Sequence, residues 1–224
     1  VSNIYLKQLE LGDMQNFVYL IGDLETREAA VVDPAWNIDE ILKVAAADDM
    51  RITKALITHF HPDHIGGRIF GYDIEGVPEL LEKLAIKIYL QKSEAPFVKR
   101  MIGLADSDMV IVDGSEETTL GNLKVQFLHT PGHTPGSQCF LVDNNLVSGD
   151  TLFIGGCGRV DLPGSNAEDL YFSLTRKLKK LPDETILLPG HNYNGNFSTL
   201  GREKNFNPYM TFPRVEDFLT AMGY

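Results

Sequence analysis

Five of the six histidines stand in three short clusters: Thr58-His59-Phe60-His61-Pro62-Asp63-His64, Thr130-Pro131-Gly132-His133-Thr134-Pro135-Gly136 and Pro189-Gly190-His191. Gly149-Asp150-Thr151 falls between the last two. Imidazole and carboxylate ligands suit zinc, iron and manganese, and such ions turn water into a nucleophile near neutral pH. His59 and His61 are two apart, so on an extended segment their rings project to one side and can grip one ion. Asp63 and His64 follow where Pro62 interrupts the strand and Gly66-Gly67 lets the backbone turn, which sets them beside a second ion. His133 sits in a loop stiffened by Pro131 and Pro135. Asp150 has two oxygens with which to bridge both ions, and His191 can complete the second shell. Asp63 and Asp150 are also the expected catalytic carboxylates, with Asp63 orienting water if it lies off the metals. With ions ~3.5–4 Å apart, a shared water would attack a polarised carbonyl.

Taken singly, a His or Asp beside proline is a turn or cap residue. Taken together, at successive strand ends, these residues read as a metal site. His129 lies outside the loops and reads as a half-buried strand residue or one that orients a ligand.

The elements that must position these residues follow from periodicity. Residues 17–21 and 29–32 read as strands joined by a hairpin turn over 22–28. Asn37 is a plausible N-cap for a helix to about Asp48, with Ile38, Ile41, Leu42 and Ala45 on one face. A strand over 52–57 delivers the chain into the His59 cluster. A helix over 77–84 and a strand over 86–90 follow, and then Ser93 caps a short helix over 94–100. Residues 66–76 have no clear pattern. The segment 68–92 leaves directly from the cluster and is expected to help shape a substrate entrance. Strands near 117–121, 123–128, 138–142 and 146–148 precede a helix over 167–181 and a strand over 185–188. His133, Asp150 and His191 each follow a strand, so four strand ends converge on one rim, where α/β folds place chemistry. Two packed mixed sheets flanked by helices fit this order, in one domain over 1–224.

Bulk properties narrow the partners. A net charge of −11 argues against nucleic acid and leaves a small-molecule substrate. No apolar run of ~18–20 residues could span a membrane, and the N-terminal Val1-Ser2-Asn3-Ile4 has no leader pattern. Two cysteines, Cys139 and Cys157, are too few for a disulfide scaffold, so a cytoplasmic location is expected, and homo-oligomerisation is left open.

In this order the motifs resemble the metallo-β-lactamase superfamily. The likeness runs through Val32-Asp33-Pro34, the His59–His64 cluster, the Thr-Pro-Gly-His loop, Ser148-Gly149-Asp150-Thr151-Leu152-Phe153 and Gly190-His191. It implies an αββα sandwich with metals at its edge: His59, His61 and His133 on one ion, Asp63, His64 and His191 on the other, and Asp150 between them. Gly155-Gly156-Cys157-Gly158-Arg159 resembles a segment of glyoxalase II enzymes and persulfide dioxygenases, both of which act on glutathione derivatives. Arg159, Tyr193 and Cys157 become candidate substrate contacts. Arg159 is equally suited to a surface ion pair with Asp161, and Cys157 to a small buried residue. Only 33 residues follow His191, without the helical domain of two-domain glyoxalase II. Arg202 and Lys204 could replace its cationic contacts or be solvated helix charges. The leading expectation is hydrolysis of a thioester such as S-lactoylglutathione by two divalent ions, zinc before iron or manganese. The alternatives are a persulfide dioxygenase with a single iron on His59, His133 and Asp150, and a β-lactam or lactone hydrolase.

Overall fold

The computed structural model describes residues 3–224; Val1 and Ser2, part of the N-terminal stretch read above against a leader, lie outside the described residues. The chain starts with β1 (Ile4–Leu11), β2 (Asn16–Asp23) and β3 (Glu28–Val32), then α1 (Ile38–Ala47), β4 (Arg51–Leu56) and the single turn α2 (Pro62–Ile65). A small hairpin, β5 (Gly67–Ile69) and β6 (Tyr72–Ile74), leads to α3 (Val77–Lys83), β7 (Lys87–Gln91), α4 (Ala95–Ile102) and β8 (Met109–Val112). The second half carries β9 (Glu117–Leu120), β10 (Leu123–His129), β11 (Gln138–Val142), β12 (Asn145–Gly149) and the short pair β13 (Leu152–Phe153) and β14 (Gly156–Cys157). It closes with α5 (Ala167–Phe172), β15 (Ile186–Pro189), β16 (Ser198–Thr199), α6 (Leu200–Phe206), α7 (Pro208–Thr211) and α8 (Val215–Ala221).

Two six-stranded sheets form, ordered β1-β2-β3-β4-β7-β8 and β16-β15-β12-β11-β10-β9. Every residue of β2 is buried, because this inner strand is covered on both faces. Its alternate residues part company: Val18 and Leu20 meet Ile38, Ile41, Leu80 and Val98 of the helices, while Phe17, Tyr19 and Ile21 meet Phe127, Phe140 and Val142 of the other sheet. A third apolar layer joins Cys139, Leu146 and Leu187 to Leu170, Leu174 and Phe218. The order is therefore helices, sheet, sheet, helices, the four-layer αββα sandwich expected from the motifs. No helix among the described residues is long and apolar enough to cross a membrane.

Local expectations mostly hold. Asn37 caps α1, its side chain accepting from the Glu40 N–H at 3.0 Å. Ser93 does not cap α4: Glu94 holds the N-cap position without a side-chain cap bond, because its carboxylate is drawn elsewhere, as described below. Pro62 does not interrupt a strand, since β4 has ended at Leu56; it opens α2, where its fixed φ and missing N–H cost nothing. The unassigned 66–76 stretch is the β5–β6 hairpin. The helix over 167–181 begins as α5 but passes into a π-helical turn at Ser173–Lys177 and a 3-10 turn at Leu178–Lys180. Edge strands β1 and β8 and the terminal helices were not read from the sequence.

Candidate metal centre

Strands β3 and β4 run parallel, as do β12 and β15, so their C-terminal ends open on the same rim. Asp33 follows β3, His59 and His61 follow β4, Asp150 follows β12 and His191 follows β15. The loop after β10 brings His133, and α2 presents Asp63 and His64. One potential ligand atom from each of His59, His61 and His133 lies within 4.8 Å of the other two, and the same holds for Asp63, His64 and His191. Asp150 stands between these trios: Oδ1 is 3.3 Å from His64 Nε2, and Oδ2 is 3.3 Å from His191 Nε2 and 3.6 Å from His133 Nε2. All seven residues singled out in the sequence converge. Gly190 lets the chain pass this close, because a Cβ there would lie 2.4 Å from Asp150 Oδ1.

The imidazoles are aimed by their outer nitrogens. His64 Nδ1 faces Asp33 Oδ2 at 2.9 Å, His133 Nδ1 the Arg159 carbonyl at 2.8 Å, and His191 Nδ1 the Met14 carbonyl at 2.9 Å. Each acceptor holds a proton on Nδ1 and turns Nε2 inward. Asp33 also accepts the Thr58 N–H at 2.8 Å and the Thr58 hydroxyl at 2.6 Å, and the Thr58 oxygen lies 2.9 Å from His59 Nδ1. One buried carboxylate thus orients two histidines. Asp33, His59 and His64 also form a ligand-like group, but the Asp33 oxygens are committed to Thr58 and His64. Asn16 reaches Asp63 from β2, its Nδ2 donating at 3.0 Å to Oδ2, while its Oδ1 accepts from Trp36 Nε1 at 3.0 Å.

The donors fit cations. His59 Nε2 and Asp150 Oδ1 are buried without a hydrogen-bond partner, an expense that an ion between them would remove. Burial, aided by neighbouring imidazoles, holds His59 well below the usual histidine range and His61 down to about 4, so both are neutral ligands. Burial also opposes the charge on His64, but the Asp63 and Asp150 carboxylates outweigh it and hold that ring well above its ordinary value. Burial works against Asp63 and Asp150 too, yet the facing histidines keep both depressed and ionised.

A family model described as the metallo-beta-lactamase superfamily matches residues 11–191, which span both sheets and the whole rim. The chain belongs to this superfamily. It is similar to the human mitochondrial persulfide dioxygenase ETHE1, at 33% identity over 230 residues, covering 98% of this chain and 81% of that one. It is also similar to the hydroxyacylglutathione hydrolase GloC of Haemophilus influenzae, at 33% identity over 207 residues, covering 85% and 91%. The crystal structure of ETHE1 from Myxococcus xanthus superposes with a TM-score of 0.82 at 33% identity, covering 97% of this chain and 89% of that one. A dioxygenase and a hydrolase therefore stand at equal identity, and the superfamily fold does not choose between their reactions.

Two cavities flank the superfamily's metal rim. One, of about 500 Å³, is walled by Phe60, Ile69, Phe70, Phe97, Met101 and Leu162; the other, of about 350 Å³, by Gly156, Cys157, Asn194 and Tyr209, and Arg159 and Tyr193 border both. Of the segment 68–92, only Ile69 and Phe70 reach the first cavity, and α4, which the sequence did not implicate, supplies more of its wall. Tyr193 stacks on the His191 ring at 4.7 Å and 7°. Its hydroxyl is pushed up to about 12, by burial first and then by the carboxylates, so it remains a neutral donor at pH 7. Arg159 is mostly exposed and makes a two-pronged ion pair with Asp161 at 2.6 Å. Burial pushes the Cys157 thiol up to about 12, unlike a reactive cysteine. Both cysteines are free. Lys204 is turned to Asp183 at 2.6 Å, and neither it nor Arg202 lines these two cavities. His129 is half-buried with Nε2 2.9 Å from the Pro135 carbonyl, tying its strand to the His133 loop.

Glu94 is the functional residue that the sequence hid. Its side chain is 1% exposed, and its partners are all donors: the Phe60 N–H at 2.7 Å on one oxygen, the Gly136 N–H at 2.7 Å and Thr134 hydroxyl at 2.9 Å on the other. It braces the loop of His59 and His61 against that of His133. The only signal in sequence was a glutamate placed where a serine cap was expected.

Proposed function

We propose that this chain is a metal-dependent hydrolase of glutathione thioesters, and the observation that carries the reading is the pair of complete three-residue ligand trios with Asp150 shared between them. Divalent ions held by His59, His61 and His133 and by Asp63, His64 and His191 would polarise the thioester carbonyl and acidify water. In the overall reaction the acyl C–S bond breaks, the oxygen of water joins the acyl carbon, and a carboxylate and a thiol leave. The protein aligns the reactants. Asp150 and Asp63 remain anionic and balance cationic charge, Asn16 fixes the Asp63 carboxylate, and Tyr193 offers a neutral hydroxyl at the rim. Arg159, at the border of both cavities, is a guanidinium for a glutathione carboxylate if it exchanges Asp161 for substrate.

One observation favours a second reading, a persulfide dioxygenase with one iron. Of the three buried side-chain atoms without a hydrogen-bond partner among the described residues, His59 Nε2 and Asp150 Oδ1 stand at the rim, two members of a facial set completed by His133, and the dioxygenase relative aligns over 98% of this chain. Metal content of the untreated protein, assayed with S-lactoylglutathione and with glutathione persulfide, separates them. Two metals per chain and thioester cleavage without oxygen uptake support the hydrolase. One iron per chain with oxygen uptake on persulfide overturns it.

A further inference from the structure

The two cavities beside the rim differ in chemistry. The larger is an apolar arm in which Phe60, between the rim histidines, stacks face to face on Phe97 of α4 at 4.6 Å and 10°. The Arg100 guanidinium lies 5.4 Å from the centre of the Phe97 ring and steadies this wall. Ile69, Met101 and Leu162 extend the surface. Its lip is Phe70, at the tip of the β5–β6 hairpin and 89% exposed. Ile69 pairs with Tyr72, so Phe70 and Gly71 form a two-residue turn with φ of 49° and 87°. Such turns favour Asn, Asp or Gly at the first position, and an exposed phenylalanine there gains no burial to offset its left-handed backbone. A local rule broken without folding benefit, at the mouth of a cavity, marks a residue kept for what enters that cavity.

We infer that the apolar arm takes the acyl part of the substrate and that this part is a bulky hydrocarbon group, aryl or medium-chain alkyl, rather than a small hydroxylated one such as lactoyl. The inference rests on the thioester reading and names its substrate class. An alkyl chain leaving the rim lies along the Phe60–Phe97 stack, and Phe70 closes over its end. The second arm, where Asn194 joins the bordering Tyr193 and Arg159, is left for the thiol half. Each methylene moved from water onto the wall of Phe60, Ile69, Phe97, Met101 and Leu162 is worth about a three- to fourfold gain, which a lactoyl group, with a single methyl, cannot collect.

The test uses the metal-loaded enzyme with acetyl-, lactoyl-, hexanoyl- and phenylacetyl-glutathione. The expected kcat/KM rises at least ~30-fold from acetyl to hexanoyl, with phenylacetyl near the top. Phe97→Ala lowers the hexanoyl-to-acetyl ratio about tenfold. Phe70→Ser, at an exposed position where loss of fold is not expected, lowers it about threefold. Phe206→Ser, an exposed change outside both cavities, leaves the ratio as it was. Calorimetry with S-hexyl- and S-methylglutathione, which are thioethers and cannot be hydrolysed, reads the arm separately. If no thioester is cleaved yet the hexyl compound binds at least ~10-fold tighter and Phe97→Ala removes the difference, the apolar site stands and the hydrolase reading falls. Cleavage that is flat across the acyl series, or equal binding of the two thioethers, overturns the inference.

Discussion

The two ligand trios are built on opposite electrostatic plans. His59, His61 and His133 form an all-imidazole set: burial keeps His59 and His61 unprotonated, and the brace behind their loops is Glu94. Asp63, His64 and His191 form a charged set, in which carboxylates and imidazoles hold one another, backed by Asp33 and Asn16. A trio of imidazoles alone brings no anion to neutralise a cation; a trio with a carboxylate offers neutralisation but must first give up its internal pairing. Asp150 is what both share. The two proposed readings divide along this difference: a pair of ions would use both trios, and a single ion the all-imidazole trio with Asp150.

The largest break in that comparison is Asp150→Ala, which removes the carboxylate common to both trios. We expect kcat/KM to fall at least ~10³-fold and metal content to drop to one ion or fewer, checked by steady-state kinetics and elemental analysis. Next is Asp33→Ala. It leaves His64 without its acceptor and disturbs His59 through Thr58, so affinity should weaken ~10–100-fold at both trios, measured by competition with a chelator.

Glu94→Gln and Asn16→Ala sharpen the contrast because each touches one trio. A glutamine at this position turns an NH2 group toward at least one N–H donor, and we expect ~10-fold weaker metal binding confined to the all-imidazole trio and a stability loss of about 1–3 kcal/mol. Asn16→Ala should affect the charged trio alone. Glu94 also sets a pH signature, since burial raises its carboxyl to about 7 from an ordinary 4.5. The folded state then binds more protons than the unfolded state between those values. Its contribution is full below about 4.5 and is lost as pH rises through about 7. The difference in urea midpoint between the wild type and the Glu94→Gln variant should fall over that window; a flat difference would remove Glu94 as a titrating brace. The smallest effect is expected from Arg159→Ala: a KM increase of roughly three- to tenfold for glutathione thioesters with metal content unchanged. Its exposed ion pair with Asp161 contributes too little for a change in melting temperature to register by calorimetry.

Much of the fold was legible where a strand or helix carries its own pattern. Strands β2, β3 and β4, helix α1 with its Asn37 cap, and β10 to β12 lie within a few residues of their expected bounds. The failures have physical causes. Edge strands β1 and β8 are partly exposed, so burial imposes no strong alternation on their sequences. Ser93 looked like a cap because a serine next to a helix start usually is one, and only a loop forty residues away, at Thr134 and Gly136, draws Glu94 inward instead. The hairpin at 67–74 escaped because Phe70 occupies a turn position where the local code calls for Asn or Gly.

By itself the sequence determined which imidazoles and carboxylates stand close together along the chain, because short spacings are visible there, while their division into two trios came from the resemblance to a family. It also determined that the ligands follow strands, since strand periodicity is local. Only the tertiary structure decided what stands behind and beside them: that Asp33 aims two histidines, that Glu94 ties two loops of the rim, that Lys204 turns to Asp183, and that Phe60 and Phe97 form one wall. Those relations join residues tens of positions apart, and their energies arise from burial and from hydrogen bonds across packed layers, which no stretch of sequence contains.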